Sequence, residues 1–213
     1  ADRRLTVIQM LPALESGGVE RGTLEVGSEL VRQGHRSIVI SAGGRMVEAL
    51  EAGGSEHVNW DVGAKRLKTL RWISRVEALL KEVRPDILHL RSRLLAWIGY
   101  LAWRRIPPSA RPHLVTTVHG PYTVNRYSAV MVRGERVIAV SETIRDYILR
   151  NYPFVDPDVI RVVHRGVNRS VFPYGYRPSE AWLEAWRHNC PRLEGKYVVM
   201  LPGRLTRWKG QEH

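Results

Sequence analysis

Short apolar runs alternate with longer stretches in which apolar residues recur at helical spacing, and this alternation persists to about residue 163. Leu5–Leu11 reads as a buried strand. Gly17-Gly18 breaks it, and Val19–Gln33 follows as a helix with Val19, Leu24, Val26, Leu30 and Val31 on one side and Gly34 as its stop. Ser37–Ser41 is the next strand, Met46–Ala52 a short helix closed by Gly53-Gly54, and His57–Trp60 a weak strand. Leu67–Val83 reads as a helix halted by Pro85, Ile87–Leu90 as a strand and Leu94–Arg105 as a helix. Strand Leu114–Val118 runs into His119-Gly120-Pro121. Strand Val137–Val140 leads to Ser141, a helix cap, with the helix running to about Asn151, and Val159–Val163 is a further strand. Several of these strands are short, continuous and β-branched, as in parallel sheets buried on both faces. The pattern predicts a doubly wound, Rossmann-like α/β domain.

The rhythm changes after residue 163. Residues 164–178 have no periodicity and contain Pro173 and Pro178. Ser179–Cys190 returns to helical spacing with Trp182, Leu183 and Trp186 as anchors, and Tyr197–Leu201 reads as a strand. The expected organisation is a first domain over 1–168, a linker over 169–178, and the start of a second α/β domain over 179–213.

Composition narrows the classes. The formal charge is +12, from 33 Lys and Arg against 21 Asp and Glu, so an anionic partner is expected: nucleic acid, an anionic membrane or a phosphorylated substrate. The basic residues are dispersed, and no helix-turn-helix, RRM or zinc spacing occurs, which argues against specific nucleic-acid binding. The one cysteine, Cys190, rules out an internal disulfide and fits a reducing compartment. No apolar run reaches the length of a membrane span, and none has the form of a signal peptide, so the expected location is cytoplasmic. No metal-ligand spacing, P-loop, Gly-x-Ser-x-Gly or paired-carboxylate motif appears.

Candidate chemistry gathers where strands end. Gly17-Gly18-Val19-Glu20 lies between the first strand and the first helix, where amide groups and the helix dipole favour a phosphate; a plain tight turn accounts for the glycines equally well. The spacing is not Gly-x-Gly-x-x-Gly, which disfavours a dinucleotide. His119 follows a strand terminus and is placed to bond a sugar hydroxyl or a leaving phosphate, or simply to cap the strand. Arg91 and Arg93 also follow a strand and are expected to face one cleft, or else to be solvated. Lys65–Arg84 carries seven basic residues against two acidic ones. Its apolar stripe packs a core, while Lys65, Arg66, Lys68, Arg71, Trp72 and Arg75 compose a candidate membrane-facing patch, with Trp72 off the stripe. Near the end, Gly203-Arg204 and Lys209-Gly210 place two cations in a loop suited to a diphosphate.

Six motifs in this order resemble those of family 4 glycosyltransferases, the retaining GT-B group. They are Gly17-Gly18-Val19-Glu20 with Leu30-Val-Arg-Gln-Gly-His35; Pro85-Asp-Ile-Leu-His89; Thr117-Val-His-Gly120; Val137-Ile-Ala-Val-Ser-Glu142; Arg165-Gly-Val-Asn168 with Val171-Phe172; and Gly203-Arg204 with Lys209-Gly210. Overall similarity leans towards the lipopolysaccharide-core branch. The resemblance implies a hexosyltransferase that takes a UDP- or GDP-sugar as co-substrate, needs no metal or other cofactor, and acts on an anionic glycolipid or polysaccharide acceptor at the inner-membrane surface. It implies that Gly17, Gly18, Arg204 and Lys209 face the donor diphosphate and that His119 contacts the transferred sugar. Glu20, Arg91 and Arg93 are candidates for the acceptor. Two departures stand out. The usual Asn-Gly-Val-Asp is here Arg165-Gly-Val-Asn168, and the family's two glutamates seven residues apart are absent. The 213-residue chain is therefore expected to fold yet to lack transferase activity by itself.

Overall fold

Seven strands form one wholly parallel sheet: β1 (Thr6–Met10), β2 (Arg36–Ser41), β3 (Glu56–Asn59), β4 (Ile87–Leu90), β5 (His113–Val118), β6 (Arg136–Ala139) and β7 (Ile160–Val162). Their spatial order is β3-β2-β1-β4-β5-β6-β7. The computed structural model describes residues 3–61, 69–203 and 210. Helices α1 (Gly18–Arg32), α2 (Val47–Ala52), α3 (Thr69–Val83), α4 (Arg93–Arg104) and α5 (Glu142–Asn151) connect the strands. Each parallel connection must cross over, and the right-handed rule puts α1 and α2 on one face and α3, α4 and α5 on the other.

The buried residues follow that division. Ile8, Met10, Ile38, Ile40, Leu88, Leu90, Leu114 and Val118 face Ile73, Val76 and Leu80 of α3, Leu95, Ile98 and Ala102 of α4, and Ile144 and Ile148 of α5. A smaller core of Leu11, Leu14, Val39 and Leu50 lies on the α1–α2 side. Side chains alternate along a strand, so Leu88 and Leu90 on the larger core put His89 on the opposite face. By the same alternation and the pairing register, Gln9, His89 and Thr117 share the face under α1. Most of the buried polar residues of the central strands are thus on one side, with Thr116 of β5 the exception on the larger-core face.

Local chemistry explains the connections. Ser141 accepts a hydrogen bond from the Ile144 amide at 3.2 Å and so starts α5 as a side-chain cap. The loop after β2 needs Gly44, whose φ is 135° and whose Cβ would lie 2.6 Å from the Leu14 carbonyl oxygen. Gly44→Ala is expected to cost about 2–4 kcal/mol, combining backbone strain with a collision against main chain, and urea titration of the variant measures it. Between β5 and β6, residues Ser128–Val132 form a buried 3₁₀ turn that the spacing of apolar residues does not announce.

The chain divides into two units, Ala1–Arg165 and Gly166–His213. The second unit contains α6 (Glu180–Asn189), capped by the Ser179 hydroxyl, with the Trp182 and Trp186 rings stacked at 5.6 Å. The strand expected at Tyr197–Leu201 is not formed: residues 197–200 are irregular and exposed. No described residue of this unit offers a strand beside them, and β-branched residues without a ladder partner have little reason to extend together.

Candidate functional site

Ligands in open α/β sheets bind beyond the carboxyl ends of the strands, at the point where strand order reverses. Here that point lies between β1 and β4. Gly17 and Gly18 lie beyond the end of β1, Arg91 follows β4, His119 follows β5, and Arg165 follows β7.

Helix α1 begins without a side-chain cap, because its N-cap is Gly17. Its first-turn amides are consequently not bonded by a capping side chain and carry the positive end of the helix dipole. Both glycines make room for side chains. A Cβ on Gly17 would lie 2.2 Å from a carboxylate oxygen of Glu20, and one on Gly18 would lie 2.4 Å from Nη1 of Arg165. Glu20 therefore folds back over the helix start, while Arg165 reaches across it.

Arg91 lies beneath α1. It is 7% exposed, and its Nη1 donates to Gln9 Oε1 at 2.8 Å. Gln9 in turn donates to the Thr23 carbonyl oxygen of α1 at 3.2 Å, and Gly22 leaves room for Arg91 Nη2. The Arg91 Nε is buried without a partner, and Arg91 forms no ion pair among the described residues. Burial, and then the charge of Arg165, lower its pKa to about 10, so it stays cationic at neutral pH.

His119 lies next to this cation. Arg165 Nη2 is 2.9 Å from its Nδ1, its main-chain N–H points to the Tyr122 hydroxyl at 3.4 Å, and its Nε2 is buried without a partner among the described residues. Burial, followed by the charges of Arg91 and Arg165, pulls its pKa down to about 3. Deeper on the same face, His89 Nε2 and Thr117 Oγ1 are hydrogen-bonded at 2.7 Å, and burial holds His89 well below the ordinary histidine range. The result is a polar band in which buried Arg91, exposed Arg165, neutral imidazoles and helix amides come together. Such a band can attract an anion and hydrogen-bond oxygen-rich groups.

Arg91 is buried rather than solvated, and Arg93 takes different partners. Arg93 is the first residue of α4, bonds Ser128 Oγ at 3.3 Å, and packs over the Tyr122 and Tyr127 rings at 5.1 and 5.5 Å.

Trp72 is not off the core either. It packs against the larger core and pairs with Trp60 at 5.6 Å, while exposed Arg75 lies over both rings at 4.8 and 5.4 Å. Arg71 is exposed, and Lys65, Arg66, Lys68, Arg204 and Lys209 lie outside the described residues.

Sequence reasoning missed Arg165, Gln9, His89 and Thr117 as members of the site. Alternation offers a signal for the last three: His89 and Arg91, and Thr117 and His119, stand at two-residue spacing, and Gln9 is the cross-strand partner of His89.

A seven-stranded, wholly parallel sheet with helices on both faces makes this unit a Rossmann-like α/β domain, with the polar band at its switch point. Residues 16–171 match the family model for Glycosyltransferase Family 4, and the chain belongs to that family. It is 33% identical over 128 residues to an alpha-maltose-1-phosphate synthase from Mycolicibacterium smegmatis, a match covering 59% of this chain and 32% of that enzyme. A glycosyltransferase structure from Rickettsia africae aligns with a TM-score of 0.79 and 33% identity, over 98% of this chain and 55% of that one. Anabaena HepE, solved with UDP and glucose, aligns with a TM-score of 0.76 and 18% identity, over 98% and 56%. The chain thus spans little more than half the length of these solved relatives.

Proposed function

We propose that this chain is the acceptor-side part of a hexosyltransferase that moves a sugar from UDP- or GDP-sugar to an anionic glycolipid or polysaccharide. The cluster of Arg91 under α1, Arg165 against Gly18 at its uncapped start, and His119 bonded to Arg165 is the observation that carries this reading. Negative charge grows on the diphosphate as the sugar departs, and fixed cations and amides stabilise it without reorganising. In this reading the first-turn amides of α1 approach the diphosphate, and His119 bonds the transferred sugar. The motif resemblance assigns Arg204 and Lys209 to the donor diphosphate. Transfer proceeds with retention and without a metal. Net charge of +12 supports an anionic acceptor, and the motif resemblance suggests one of lipopolysaccharide-core type at the cytoplasmic membrane surface. No helix among the described residues is long and apolar enough to cross a membrane, and in this reading the contact with lipid is peripheral.

The test is sugar transfer by the full-length protein containing this chain. Labelled UDP- and GDP-hexoses are offered with phosphorylated and dephosphorylated glycolipid acceptors. Transfer that persists in EDTA, prefers the phosphorylated acceptor and falls about 10²-fold or more in kcat for His119→Ala is the expected result. Hydrolysis or epimerisation of the nucleotide-sugar with no transfer would overturn the proposal.

A further inference from the structure

Arg165 holds His119 in a way that fixes the chemistry of the ring. A guanidinium has five N–H donors and no acceptor, and it remains charged at any ordinary pH. A hydrogen bond from Arg165 Nη2 to His119 Nδ1 at 2.9 Å therefore requires a lone pair on Nδ1. In a neutral imidazole the proton then belongs to Nε2. That is the ring atom that is buried and without a partner among the described residues. The other amino group of Arg165 sits where a Gly18 side chain would be, at 2.4 Å from the Cβ position. One residue following β7 thus contacts the loop after β5 and crowds the first residue of α1.

We propose that Arg165 is the positioning residue that holds His119 as its Nε2–H tautomer and fixes the ring against the N-terminus of α1. His119 then presents a hydrogen-bond donor to a ligand. It matches an oxygen that needs no deprotonation, such as a sugar hydroxyl or a phosphoryl oxygen. It cannot remove a proton through Nε2, so a general-base role at that atom is excluded. The surroundings agree. Arg91 from β4 and Arg165 are the charges that act on the ring, with burial the larger cause, and all three favour the neutral form. His89 from β4 and Tyr122 from the β5 loop are its other titratable neighbours, and Glu20 of α1 stands over Gly17. The ligand assignment rests on the proposed function; the tautomer does not.

The experiment is long-range ¹H–¹⁵N correlation of histidine rings in the ¹⁵N-labelled chain, with the His119→Gln spectrum identifying the His119 signals. A single Nε2–H tautomer at neutral pH, still neutral at about pH 5, is expected for the native chain. Arg165→Met has similar length and no donor. It is expected to mix the two tautomers and to move ring protonation towards the ordinary histidine value of about 6.5. Arg165→Lys retains a donor and a charge and is expected to restore the Nε2–H form. An Nδ1–H tautomer in the native chain overturns the proposal without recourse to any variant. So does an unchanged tautomer in an Arg165→Met protein with native amide dispersion. Absence of sugar transfer by the full-length protein would overturn the functional reading and leave this result standing.

Discussion

Lowering the pH from 7 to about 4 is expected to destabilise the Ala1–Arg165 unit by several kcal/mol, with proton uptake on unfolding. His119 and His89 both have folded pKa values below that of an unfolded histidine, mainly because burial disfavours their charged forms, and His57 is displaced the same way. Below about pH 6.5 the unfolded chain binds protons that the folded chain refuses, so stability present above that value drains away as pH falls towards the folded pKa. With a folded pKa of about 3, His119 alone accounts for on the order of 2–3 kcal/mol at pH 4, since each tenfold difference in proton affinity is worth ~1.4 kcal/mol. Glu56 and Glu77, held low by hydrogen bonds from Arg36 and Lys81, act in the same direction but sit nearer solvent. Urea titrations at the two pH values measure the loss. His89→Gln and His119→Gln are expected to flatten the dependence. If both leave it unchanged, the carboxylates are responsible and the buried histidines are not.

Arg91→Met, made together with Gln9→Leu, is expected to raise the thermal midpoint while weakening the response to anions. Among the described residues, Arg91 is a buried cation with a single side-chain acceptor and an unpartnered Nε. Desolvation of such a group commonly exceeds what one hydrogen bond returns, and apolar replacements of similar volume are often stabilising by about 1–4 kcal/mol. For a unit of this size that corresponds to a rise of several degrees. The Gln9 change prevents its amide oxygen from being left without a donor. The second readout is the shift in midpoint on adding inorganic pyrophosphate, which is expected to be smaller in the variant than in the native chain. A variant that melts lower and responds equally to pyrophosphate would make Arg91 a structural residue.

The sheet was readable because its strands declare themselves individually. Leu5–Leu11, Ile87–Leu90 and Leu114–Val118 are short apolar runs bounded by breakers, and each appears as β1, β4 or β5 with small changes at its ends. Tyr197–Leu201 carries the same local signal and is irregular, since strand formation depends on a neighbour that no local window contains. The site was legible where it followed punctuation. Gly17-Gly18 and His119-Gly120 mark strand ends, and both lie at the carboxyl edge. Arg165 was not, because it lies in an aperiodic stretch and its value comes from reaching His119, 46 positions earlier. Arg91 and Arg93 look equivalent in sequence, yet one directly follows β4 and the other opens α4, and they take different partners.

The order of the strands also governs when the band under α1 is completed during synthesis. β1 is made first but lies in the middle of the sheet, between β2 and β4, so it waits for segments that emerge much later from the ribosome. Gly18 and Arg165 stand at nearly opposite ends of the first unit. The nascent chain can build β1–β4 and their helices before the cation that orders His119 has been added. Each long crossover must close against chain entropy before its pairing is rewarded, which makes this unit slow to mature for its size. A ribosome stalled before residue 165 would carry a largely complete sheet whose histidine is still free to choose its tautomer.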